Sequence, residues 1–327
     1  MRVRTGATAA AVFCLVLAGT VVIGTGPASA TEPVPAAPTP TLSGPLYVEA
    51  GTDAAKAAAR LRTEGNQEAA ALIDQIATQP TAVWLGDWFT PQLLQSVIAR
   101  HITAAKAQKA TLVFVTYAIP NRDCGGFSSG GHSYEDYLDW NRTIAAALAG
   151  TGAVVIVEPD SLSMLTDPRC ADTAVRRLPL LRDAVQILEG AGLHTYLDGG
   201  NSRWLTPTQQ ATLLNSAGIA GASGFFTNVA GYNSVADERN YAGKVSARVG
   251  LKHYVIDTSR NGRTIAGGWC NVAGAGLGAN PRATPNDGKL DALLWVKHPG
   301  ASDGACNGGP AAGKWFEQYA LDLVLNR

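Results

Sequence analysis

Apolar and polar positions along this chain fall into two alternating periods. Short apolar runs rich in branched and aromatic residues read as strands: TAVWLG from Thr81, TLVFVTY at 111–117, AVVIV at 153–157, HTYL at 194–197, a run around 222–226, KHYVI at 252–256 and DALLWV at 291–296. Helical spacing of apolar positions covers roughly 53–63, 66–78, 91–108, 134–149, 172–190, 206–215, 234–248 and 312–325. Strand and helix patterns alternate, so the strands should form a parallel sheet. Alternation alone also fits an open doubly wound sheet. Chain length and the residues at the strand ends favour a distorted, seven-stranded parallel (β/α) barrel in the α/β class.

Those strand ends carry the candidate chemistry. Asp123, Asp160, Asp198, Asp257 and Asp303 each follow one of the apolar runs. Barrel enzymes keep their active sites at that face. Acids with little else that is reactive point to glycoside hydrolysis, which needs two carboxyl groups and a water. Gly-rich stretches at 124–132 and 262–288 suit loops framing a cleft.

Composition changes the picture in three ways. The 327 residues balance 26 basic against 26 acidic side chains and form no basic stripe, which excludes a nucleic-acid binder. Residues 1–30 read as a secretory signal: Arg2 and Arg4, an apolar stretch, then Ala28-Ser29-Ala30. A membrane anchor fits less well, because that stretch is short and broken by glycine. Residues 31–45 are a Pro/Thr-rich lead-in, and 46–327 read as one catalytic domain with no appended binding module. Four cysteines remain after the signal: Cys124, Cys170, Cys270 and Cys306. An even number in an exported chain favours two disulfides, with three pairings open. Neither a metal nor a cofactor is expected, since CxxC is absent and the five histidines are scattered.

Two stretches are the richest. Tyr117-Ala-Ile-Pro-Asn-Arg122-Asp123-Cys124 leads into glycines and Ser129; Arg122 is expected to hold Asp123 ionised. In Glu158-Pro159-Asp160, proline stiffens the strand exit. These stretches resemble the two signature motifs of glycoside hydrolase family 6, the inverting cellulases. TAVWLGDW near Trp84, YLDGGNSRWL at 196–205, TNVAGYN at 227–233, DTSRNG at 257–262, GGWCN at 267–271 and WVKHPGASDG at 295–304 are also similar to that family, in its order.

The resemblance implies roles. Asp160 matches the general acid. Asp123 matches the acid that raises its pKa and helps pass a proton from the water. Asp303 matches the residue most often proposed as base, with a water relay through Asp123 and the Ser129 position as the other account. Asp198 matches a further cleft carboxylate, and Tyr117 the tyrosine beside the distorted sugar. Trp84, Trp204 and Trp269 match sugar-stacking tryptophans; Asn228 and Lys297 match polar substrate contacts. The family's disulfides imply Cys124–Cys170 and Cys270–Cys306. One departure is Ala301, where the family usually has a glutamate that contacts substrate; it leaves Lys297 without its usual neighbouring acid.

Structural readings stand beside these. Asp257 either pairs with Arg260 or caps a turn, and Asp87 is a similar case. Glu158 orders the acid's surroundings. Trp140, Trp295 and Trp315 read as core, and His132 as a hydrogen-bonding loop residue. Gly126-Phe-Ser128-Ser-Gly130 fits a serine-hydrolase elbow in letters only, since it does not directly follow a strand.

The expected protein is therefore a secreted, monomeric endo-β-1,4-glucanase whose partner is a β-glucan, with no nucleic acid and no membrane. The presumed disulfide loops, 45 and 35 intervening residues, match the short-loop, open-cleft members. The alternatives are an exo-acting cellobiohydrolase and a non-hydrolytic glucan-binding protein.

Overall fold

The computed structural model describes residues 2, 6, 42–170, 173–265 and 267–327. The signal reading for 1–30 and most of the lead-in lie outside the described residues. Helices α1 (Asp53–Thr63) and α2 (Gln67–Ala77) precede β1 (Val83–Gly86), α3 (Pro91–Gln108) and β2 (Val113–Tyr117). Next come α4 (Tyr137–Leu148), β3 (Val154–Val157), α5 (Ala174–Gly190), β4 (His194–Asp198), α6 (Pro207–Ser216), β5 (Gly224–Thr227) and α7 (Val235–Ser246). The chain closes with β6 (His253–Asp257), β7 (Arg282–Ala283), β8 (Leu290–Leu294) and α8 (Glu317–Leu325).

Helix starts are written locally. Thr90 accepts from Leu93 N ahead of Pro91, and Thr206 with Gln209 forms a capping box ahead of Pro207. Each arrangement satisfies N–H groups that a helix leaves open at its start.

One sheet runs in the order β1-β2-β3-β4-β5-β6-β8-β7. Every pair from β1 through β6 to β8 is parallel, as the alternation predicts. The count is eight rather than seven, because the two-residue β7 adds antiparallel to β8. The sheet curls: Ala82 N, just before β1, donates to Trp295 O, just after β8, at 3.1 Å. Alternate side chains enter different cores. Phe114, Val155, Leu197, Phe225 and Ile256 face helical Leu94, Ile144, Leu181, Leu214 and Val245. Val115, Ile156, Tyr196, Phe226, Val255 and Leu294 pack with one another on the other face. Strands covered on both faces read as continuous apolar runs.

A second departure is α8, which begins at Glu317 instead of 312. Gly313 sits at φ +77°, Ser302 N bonds Lys314 O, and Phe316 N bonds Gly300 O at 2.7 Å. Those pairings hold 312–316 as a turn against the preceding loop.

Two disulfides are present, Cys124–Cys170 and Cys270–Cys306, with Cα atoms 5.5 and 6.3 Å apart. The first ties the loop after β2 to the loop before α5. Replacing Cys124 and Cys170 together by serine is expected to lower stability by about 2–4 kcal/mol. The check is a urea melt: the midpoint should fall, and an unmoved midpoint contradicts the assignment.

Candidate active site

The C-terminal ends of the parallel strands open onto a cleft of about 1500 Å³. Asp123, Asp160 and Asp303 line it, with Trp84, Tyr117, Ser129, Trp204, Trp269, Lys297 and Ala301. The walls also carry aromatics absent from the sequence-derived site, among them Trp88 and Phe127. Both are over half exposed, at 52% and 53%. Their positions next to Asp87 and in the Gly-rich loop after Asp123 were the available signal.

Asp160 sits on a tight exit from β3. Glu158 and Asp160 both have left-handed backbones, φ +50° and +70°, around Pro159. Such conformations are unfavourable for non-glycine residues and need support from their surroundings. Fully buried Glu158 supplies it, accepting from Ala118 N at 2.9 Å and Ile119 N at 3.0 Å at the end of β2, and from the Tyr137 hydroxyl at 3.2 Å. This is the ordering role read from the sequence.

Asp198 supports the other side of the same turn. It accepts from Leu162 N, Ser163 N and Gly200 N, each at 2.9 Å, and is 1% exposed. Expected as a substrate-binding carboxylate, it lies beneath the cleft wall, with both oxygens accepting from backbone. Burial pushes its carboxyl above the usual range despite these bonds.

The Asp160 carboxyl is pushed up to about 8. Burial contributes most, followed by the negative charges of Asp198, Asp123 and Asp303, with Lys297 opposing. Asp160 therefore keeps its proton at neutral pH. The Tyr117 hydroxyl is likewise raised, by burial and then by Asp160 and Asp123. Its ring meets Trp84 edge-on at 4.9 Å.

Asp123 lies on a short turn, with φ +58° there and +43° at Cys124. Its carboxylate folds back over Gly126 and accepts from Ser128 N at 2.7 Å. The expected Arg122–Asp123 pair does not form. Arg122 turns away to Asp87 at 2.7 Å, and also donates to Ser128 O and Tyr117 O. Burial works against the Asp87 charge, yet the Arg122 bond, with Gly131 N, holds its carboxyl below the usual range. Asp87 is thus a loop clamp.

Asp303 is held in the opposite protonation state from Asp160. Arg260 reaches it at 2.7 Å, Lys297 at 2.9 Å and Asn271 N at 2.8 Å. Burial alone would raise this carboxyl, but the two cations outweigh it and hold it below the ordinary range. Lys297 therefore has an acid beside it after all, Asp303 itself. Arg260 is almost fully buried, donates to the Ala230 and Trp269 carbonyls, and lies 4.5 Å from the Tyr232 ring centre. The sequence offered Arg260 only as a partner for Asp257. Asp257 instead caps its surroundings, accepting from Ser259 N, Lys297 N and Ala230 N.

Asn228, expected as a polar substrate contact, is placed similarly. It is fully buried and donates to Asn233 O and Asp257 O, bracing its loop instead of meeting the cleft. His132 packs against Trp140, ring centres 5.3 Å apart.

One protonated and one ionised carboxyl in a cleft walled by tryptophans define an acid–base site suited to a carbohydrate. Comparison with known proteins agrees. The Glycosyl hydrolases family 6 model matches residues 43–327, and the chain belongs to that family. Endoglucanase A of Cellulomonas fimi is 43% identical over 256 residues, 78% of this chain and 56% of that protein. The chain thus spans just over half of that relative's length. Endoglucanase 1 of Streptomyces halstedii is 35% identical over 306 residues, 90% of this chain and 93% of that protein. The solved endoglucanase Cel6 from Mycobacterium tuberculosis, in complex with methyl-cellobiosyl-4-deoxy-4-thio-β-D-cellobioside, superposes with a TM-score of 0.81 at 37% identity, covering 88% of this chain and 99% of that one.

The buried charge cluster makes a direct prediction. Asp303 has a lowered folded pKa, so its contribution to stability is present above the ordinary carboxylate range and lost as pH falls through the lowered value. Arg260→Met should cost about 3 kcal/mol near pH 7. In urea melts the gap from wild type should close as pH falls and Asp303 protonates. A gap that stays constant with pH contradicts the pairing.

Proposed function

We propose that this protein is an exported endo-β-1,4-glucanase that hydrolyses internal bonds of cellulose or related β-glucans with inversion. The observation that carries the reading is the pairing of Asp160, protonated up to about pH 8, with Asp303, held ionised at neutral pH by Arg260 and Lys297, on the walls of one cleft. Asp160 donates its proton to the glycosidic oxygen as the bond breaks. A water on the opposite side of the sugar ring attacks the anomeric carbon and gives up a proton, which restores the charge balance. Asp303 takes that proton. A second account has the proton passing through Asp123 and Ser129, and one feature favours it: both Asp303 oxygens already hold donors, which weakens Asp303 as a base.

Trp84, Trp204 and Trp269 offer flat faces to the apolar faces of glucose, and Tyr117, Ser129 and Lys297 offer hydroxyl and ammonium groups to its polar edge. The 46- and 36-residue disulfide spacings, and relatives named endoglucanases, favour internal cleavage over exo-acting release of cellobiose. Residues 1–30 as an export signal, 31–45 as a lead-in, 46–327 as a monomeric catalytic domain and closure of the sheet into a distorted barrel complete the reading.

Four measurements check it. Proton NMR of cellopentaose in the first minutes should show the α-anomer as the initial product; initial β-anomer contradicts both the mechanism and the roles of the acids. Because the acid must carry its proton, kcat/KM should fall as pH rises through about 8. Asp160→Asn should reduce kcat about 10²–10⁴-fold while cellopentaose still binds. Equal inertness of wild type and variant supports a non-hydrolytic glucan-binding protein instead. On carboxymethylcellulose, viscosity should drop before many reducing ends appear; slow viscosity loss with early cellobiose contradicts internal cleavage.

A further inference from the structure

The loop after β2 meets the Asp303 side of the cleft through one ring. Phe127, in the middle of a polar loop, is 53% exposed. Its exposure has a specific geometry. The ring lies tilted against Trp269, centres 6.1 Å apart. It also lies over Gly304, the residue after Asp303. A Cβ added at Gly304 would come within 2.5 Å of Cγ and Cδ2 of that ring, so the ring fills space that only glycine leaves.

The contact joins two separately anchored loops. Phe127 stands three residues after Cys124, whose disulfide runs to Cys170. Trp269 and Gly304 stand beside Cys270 and Cys306, which form the other disulfide. Each bridge fixes the base of its own loop, and neither bridge connects the two. The next residue along, Ser128, donates its N–H to the Asp123 carboxylate at 2.7 Å and gives its carbonyl to Arg122 Nε at 2.8 Å. Displacing the ring therefore displaces the Asp123 carboxylate and Ser129 together.

We propose that Phe127 is a positioning residue whose ring, seated on Gly304 and Trp269, holds the loop bearing Asp123 and Ser129 against the Asp303 side of the cleft. Its rate consequences rest on the hydrolase reading above; its structural consequence does not. The groups facing Asp160 are Asp123 from this loop, Asp198 from β4, Tyr117 from β2, and Asp303 and Lys297 from the segment after β8. Loss of the seat withdraws Asp123 alone and leaves the others in place.

The test compares wild type with Phe127→Ala, Phe127→Tyr, Gly304→Ala and the Phe127→Ala/Gly304→Ala double variant. Amide hydrogen exchange of the 124–131 segment reads the seat without reference to activity. Exchange there should quicken in Phe127→Ala and Gly304→Ala and stay at the wild-type rate in Phe127→Tyr. On cellopentaose, Phe127→Ala should lose about 10–100-fold in kcat/KM, mostly in kcat, as a small misplacement of a catalytic group does. Its alkaline pH limb should move to lower pH, a change that a general loss of stability does not produce. The double variant should be no worse than the more impaired single variant, because both remove the same contact. Unchanged exchange in Phe127→Ala, an unmoved pH limb, losses that multiply in the double variant, or a crippled Phe127→Tyr would each overturn the proposal. Wild-type protein that does not cut cellopentaose refutes the hydrolase reading, and the exchange data still decide the seat.

Discussion

Four carboxyl groups crowded at one end of a sheet cannot all be ionised, and that repulsion organises the site. Burial and the charges of Asp198, Asp123 and Asp303 keep the proton on Asp160. Burial would push Asp303 up as well, were it not for Arg260 and Lys297 on its two oxygens. Two carboxyls pushed in opposite directions by their surroundings are what acid–base chemistry near neutral pH requires. Neither state belongs to aspartate as such. Each depends on groups delivered by other strands, so the site exists only when the sheet is fully formed.

The sheet meets this demand through its exits. Parallel strands covered on both faces end together, and their last residues turn sharply into loops. At β3 that turn places left-handed Glu158 and Asp160 around a proline, and buried Glu158 and Asp198 hold it from below through backbone N–H groups. The strained backbone and its supports are one unit: without those bonds the turn would relax and Asp160 would lose its neighbours. The disulfides tie down the loops that carry the other two acids, through Cys124 next to Asp123 and Cys306 three residues after Asp303.

Much of this was legible along the chain. Strand and helix periods placed the seven parallel strands within a few residues, because each is a continuous apolar run bounded by turn residues. β7 was not legible, because two residues carry no period and Arg282–Ala283 is a strand only by its pairing with β8. The start of α8 shifted for a similar reason: contacts with Gly300 and Ser302 override the helical spacing of 312–316. In the site, Asp123, Asp160 and Asp303 reach the cleft as expected. Asp198 and Asn228 do not, since a strand-end polar residue can as easily turn inward to satisfy backbone as outward to meet a ligand. Charge pairing was least legible. Adjacent Arg122 and Asp123 part company, whereas Arg260 and Asp303, 43 positions apart, meet. Ion pairs follow the folded path, which local sequence does not record.

The account stands on the split between two carboxyls, and that split can be observed without substrate. Carbon-13 labelling of the aspartate carboxyls, with Asp160→Asn and Asp303→Asn spectra to assign them, gives both titrations in one experiment. The account predicts that Asp160 titrates near 8 while Asp303 stays ionised to below the ordinary carboxylate range. An Asp160 signal that titrates in the ordinary range, or an Asp303 that takes up its proton first as pH falls, contradicts it.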